Sequence, residues 1–108
     1  MSRKILQINV DYDIPTEDFK ASWMKAAEPI SQQPGLVWKV WVYDDEKRQG
    51  GGIYLFESRE DVEVYLKSDL VRAFKASPVL RNISTKVFDI GEEASAVTRA
   101  PIGALAAA

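Results

Sequence analysis

A chain of 108 residues, 46% of them apolar, has the size and content of one compact domain, which should bury roughly two-thirds of the surface its unfolded chain exposes. A formal charge of −2 supplies no basic field for nucleic acid or an anionic membrane. With neither His nor Cys, the chain is excluded from disulfides, thiol nucleophiles, ordinary zinc sites, haem held by an axial His or Cys, and Ser-His or Cys-His catalysis.

The start, MSRKILQINVDY, has no continuous apolar run, and no later segment is long enough to span a bilayer, so a soluble cytoplasmic protein is expected. Lys4 to Val10 fits a strand with Leu6, Ile8 and Val10 on one side. Apolar residues then recur with helical spacing at Phe19, Trp23, Ala26, Ala27 and Ile30, with Thr16 placed to cap. Pro29 should kink or end this helix near Glu28. In the strand LVWKVWVY, alternation puts Leu36, Trp38, Val40 and Val42 on one face and Val37, Lys39, Trp41 and Tyr43 on the other. Both faces are bulky and apolar, whereas a strand with one wet face would alternate with polar residues.

DDEKRQGGG reads as a hairpin loop leading into the strand IYLFES. Ser58 with Asp61 resembles a capping box, and Val62, Tyr65, Leu66, Leu70 and Phe74 form a helical stripe that Ser68 and Asp69 can break in two. RNISTKVFDI is the last strand. The domain therefore runs over residues 1–90, and the Ala-rich tail, 91–108, is expected to pack on the body or be partly disordered. Strand, helix, strand, strand, helix, strand is the ferredoxin-like order: an α+β fold with two helical segments on one face of a four-stranded antiparallel sheet. Helices cover only one face of LVWKVWVY, so a homodimer is inferred to cover the other.

Several motifs have two readings. Gly50 to Gly52 precede a strand rather than open a helix, which suits a hairpin loop or bulge better than a phosphate cradle. Asp44, Asp45 and Glu46 lack the spacing of a calcium loop and read as a solvated turn. GGIYLF faintly echoes RNA-recognition domains, without their basic and aromatic signature. Lys39 is either a surface ammonium whose stem lies on apolar groups or a cation on a pocket wall, able to stabilise a phenolate or enolate. Trp23, Trp38, Trp41, Tyr54, Phe56 and Tyr65 suit either a core or an aromatic ligand site.

QPGLVWKVW, GGIYLF and KVFDI, in that order and spacing, resemble the YdhR-type mono-oxygenases, relatives of the antibiotic-biosynthesis mono-oxygenases, over Lys4 to about Arg99. The resemblance implies a dimeric α+β barrel with a ligand pocket between helices and sheet in each subunit. It also implies an oxygenase that needs no metal, flavin or haem. Where the wider group places a Trp and a His, this chain has Phe56 and Tyr65, so haem degradation is not expected. The expected activity is oxidation of a small phenolic or quinol-like aromatic by O2, with Lys39 and the hydrogen-bond donor Asn9 as the catalytic residues; a non-catalytic ligand-binding or sensing dimer is the alternative. Parity leaves open which face of Leu36 to Tyr43 lines the pocket.

Overall fold

The computed structural model describes residues 2–103. Strand β1 (Lys4–Tyr12) alternates as its sequence requires, with Leu6, Ile8, Val10 and Tyr12 buried. It pairs with β3 (Gln49–Phe56) on one side and β4 (Leu80–Asp89) on the other, while β2 (Leu36–Asp44) borders β3. All three pairings are antiparallel, in the order β2-β3-β1-β4. Helices α1 (Thr16–Ser31), α2 (Arg59–Leu66) and α3 (Asp69–Ala76) contribute Phe19, Ile30, Val62, Tyr65 and Val71 to the core formed with β1 and β3. This is the ferredoxin-like α+β fold.

The break between α2 and α3 comes from paired serine caps. Ser58 Oγ accepts from the Asp61 amide at 3.2 Å and Ser68 Oγ from the Val71 amide at 3.3 Å, so each short helix has its first turn satisfied. Three expectations need correction. Helix α1 does not stop near Glu28 but runs through Pro29 to Ser31, because Ile30, 2% exposed, is held in the core and packing outweighs the missing hydrogen bond. Thr16 does not cap that helix; its hydroxyl lies 2.6 Å from Tyr12 Oη and donates to Asp45. The run Gly50 to Gly52 is not in the loop but inside β3, opposite Val10, Asn9 and Ile8.

Simple alternation also fails at the start of β2. Leu36 pairs with Phe56 and Trp38 with Leu55, so Val37 is an extra, bulged residue. Leu36 therefore joins Lys39, Trp41 and Tyr43 on the helix side, and Trp38, Val40 and Val42 face away. A second irregularity, in β4, places Asn82 at φ 53°, a conformation that Asn tolerates, with its amide donating to Asp11 at 2.7 Å.

The chain beyond β4 forms α4 (Glu92–Val97) and then crosses the outer sheet face. The Trp38 indole donates to the Pro101 carbonyl at 2.9 Å, and Arg3 donates to the Ile102 carbonyl. Leu55 on this face and Ile102 are both buried outside the main core. Residues 104–108 of the expected tail lie outside the described residues. Val40 stays 51% exposed and Phe88 45%, so the second face of LVWKVWVY is covered only in part.

Candidate functional site

A cavity of about 320 Å³ lies between the sheet and helices α1 and α3. Ile8, Val10, Trp41 and Tyr54 wall it from the sheet, Phe19, Trp23 and Ala26 from α1, and Ala73 and Phe74 from α3. Gly51 and Gly52 form part of the lining, and a Cβ on either would collide with its immediate neighbours, the Ile8 carbonyl and the Lys39 side chain. A Cβ on Gly52 would stand 2.3 Å from Lys39 Cε.

Lys39 is the one lysine in this apolar lining, which contains no Asp or Glu. Its Nζ lies 3.3 Å from the centroid of Trp41 and 4.6 Å from that of Tyr54, and among the described residues no carboxylate is within ion-pair distance. Burial lowers its pKa from 10.5 to about 7, while the ring faces favour the ammonium and oppose the fall. The amine is therefore poised to exchange a proton near neutrality.

Two aromatic groups meet at this side chain. One runs Tyr12, Phe19, Trp23, Trp41, with Tyr12 stacked on Phe19 at 4.0 Å and Trp23 5.4 Å from Trp41. The other comprises Tyr54, Phe56 and Tyr65, whose centroids are 5.2–5.9 Å apart. The Tyr54 and Tyr65 hydroxyls are 2.9 Å apart and fully buried. Burial raises both pKa values, and for Tyr54 the neighbouring Tyr65 raises it further, so both phenols stay protonated across the physiological range.

Of the residues singled out from sequence, Trp23, Lys39, Trp41 and Tyr54 come together on the cavity wall. Phe56 and Tyr65 do not line it; they stand behind Tyr54 in the core. Trp38 is on the opposite face, bound to the tail, and Asn9 shares that face with Gln7 and Asp11 because Ile8 and Val10 take the helix side of β1. Sequence reasoning passed over Gly51, Gly52, Ala73 and Phe74. A glycine run abutting IYLF was the usable signal, since glycine inside a strand marks close approach. The acidic turn serves the fold: Asp44 accepts from the Lys47 amide at 3.1 Å and Asp45 from Thr16. Among the described residues, no three Asp or Glu side chains are grouped to hold a metal ion, and no helix is long and apolar enough to cross a membrane.

An antiparallel four-stranded sheet, helices over one face and an apolar cavity between the two layers define a ferredoxin-like α+β domain with an internal cavity. Residues 5–101 match the family described as "Putative mono-oxygenase ydhR", and the chain belongs to that family. No curated protein matched. Among solved structures, the chain is similar to SnoaB, a cofactor-independent oxygenase from Streptomyces nogalater, at 14% identity and a TM-score of 0.67, over 83% of this chain and 94% of that one. MupZ from Pseudomonas fluorescens is similar at 15% identity and a TM-score of 0.68, over 90% and 79% of the two chains. A third, described as a putative antibiotic biosynthesis monooxygenase from Deinococcus radiodurans, has 10% identity and a TM-score of 0.65, over 82% and 92%. At these identities the likeness is one of fold.

Proposed function

We propose that this chain is a mono-oxygenase that oxidises a small phenolic or quinol-like aromatic with O2, using no metal, flavin or haem. The observation that carries the reading is a lysine that, among the described residues, has no carboxylate partner and stands on the wall of an apolar, aromatic-lined cavity. As a neutral amine, Lys39 takes the phenolic proton and becomes the ammonium that balances the phenolate. The electron-rich ring then adds O2 at a ring carbon bearing hydrogen, and the peroxide anion recovers a proton from Lys39. The O–O bond breaks as that carbon loses its hydrogen, leaving a quinone carbonyl and one water. Phenol plus O2 gives quinone plus H2O, so the balance needs no external reductant. The protein's share is to orient the ring, exclude water and move one proton at Nζ. SnoaB, an oxygenase of the same fold, supports this reading.

Oxygen uptake tests it. Across a panel of naphthols, quinols and anthrone-like compounds, at least one should consume O2 well above its uncatalysed rate without added metal or reductant. Saturable binding with no uptake for every compound would replace the enzyme with a binding protein of the same fold.

The partly covered outer face, with Val40 and Phe88 exposed, supports a homodimer. Sedimentation at micromolar concentration should give about twice the 12.1 kDa chain mass. A stable monomer would mean that the tail suffices as cover.

A further inference from the structure

The oxygenase reading uses Lys39 as a base, but the unprotonated form of an amine on an apolar cavity wall is also a nucleophile. Its position favours attack. The stem lies over Gly52, where a Cβ would come within 2.3 Å of Cε, so Nζ is carried past the sheet to the cavity wall. Among the described residues no carboxylate holds it, and the faces of Trp41 and Tyr54 lie against it, their centroids 3.3 and 4.6 Å from Nζ. A ring held in the cavity next to the amine would present an attached carbonyl carbon to it, and the faces of Trp41 and Tyr54 under Nζ would stabilise the cation produced.

We propose that Lys39 is a carbonyl-capturing residue that binds aromatic aldehydes covalently as an imine. The step balances without an oxidant or reductant. Nζ attacks the carbonyl carbon and the oxygen takes up a proton, giving a carbinolamine; the C–O bond then breaks, water leaves, and a C=N bond remains. Protonated, the product is an iminium that keeps a positive charge over Trp41. A volume of about 320 Å³ suits an aldehyde of one or two rings. Exposed lysines such as Lys25, Lys67 and Lys75 have neither the cavity nor the ring faces.

The test uses 2-naphthaldehyde with cyanoborohydride at pH 7 under nitrogen, where no oxygenation can contribute, followed by peptide mass mapping of the wild-type protein. Reduction of the imine fixes a naphthylmethyl group on the amine that formed it. Because burial lowers the pKa of Lys39 from 10.5 to about 7, a far larger share of its amine is unprotonated at pH 7, and labelling there should be faster by on the order of a hundredfold than at other lysines. An excess of 2-naphthol should slow it at least about tenfold by occupying the cavity, without protecting the α-amino group. Lys39→Met should lose the fast adduct while retaining the α-amino label. Labels spread evenly over exposed lysines, or a fast Lys39 adduct that naphthol leaves untouched, would overturn the proposal. Failure here would not affect the oxygenase reading, which is judged by O2 uptake alone, and a clean adduct without O2 uptake would leave carbonyl capture standing by itself.

Discussion

The stability of the wild-type protein should rise with pH between about pH 7 and 9.5, and replacing Lys39 with Met should flatten that rise. The sign follows from burial. The folded-state pKa, about 7, lies below the unfolded value of 10.5, so between them the unfolded chain binds more protons and stability increases with pH. Below pH 7 the full cost of burying the ammonium is present. Unfolding free energies from urea titrations at pH 7 and 9.5 should differ by on the order of 2–3 kcal/mol more in the wild type than in the variant, after allowing for the part of the side chain that reaches water. Above pH 10 the buried tyrosines act in the opposite direction, since their raised pKa values make stability fall as the unfolded chain ionises, so the comparison stays below that range. Turnover of a responsive phenol should drop roughly 10²–10⁴-fold in the variant. Parallel stability curves and an unchanged rate would return Lys39 to the role of a surface lysine.

Neighbouring glycines should respond in opposite ways. Gly51 has φ 152°, and a Cβ there would sit 1.9 Å from the Ile8 carbonyl oxygen, in the backbone of the adjacent strand. That strand cannot yield without breaking the ladder, so Gly51→Ala should cost on the order of 3 kcal/mol or more, or prevent folding. At Gly52 the nearest atom is the flexible end of Lys39, 2.3 Å away. Gly52→Ala should therefore shift the melting temperature only slightly while displacing the amine, and ligand affinity and turnover should fall at least about tenfold. Thermal melts set beside binding isotherms check the pair. If Gly52→Ala bound ligand normally, the position of Lys39 over Gly52 would not matter to the site.

The parts of this fold that were legible from sequence are those where local pattern and tertiary burial agree. Leu6, Ile8 and Val10 alternate along their strand, and Ser68 and Asp69 interrupt a stripe that runs from Val62 to Phe74; both patterns reappear in the structure. Pro29 misled because a local rule about hydrogen bonds competes there with burial of Ile30, and burial prevails. The pocket side of β2 could not be read. Both faces are bulky, and the bulge at Val37 shifts the alternation where the strand begins. Half of the singled-out side chains reach the cavity because type alone cannot separate an aromatic lining a space from one filling the core behind it, as Tyr54 and Tyr65 do 2.9 Å apart.

The three tryptophans divide the molecule's ultraviolet emission among separate tasks. Trp41 lies under the Lys39 ammonium and 5.4 Å from Trp23, so charge on that amine perturbs the excited state of one indole directly and of its neighbour through coupling. Trp38 is on the far side of the sheet with its ring nitrogen tied to Pro101. A change in fluorescence that survives Trp38→Phe therefore originates at the cavity, and one that disappears with it reports the seating of the C-terminal strap. The protein's own indoles thus report on both places without any attached dye.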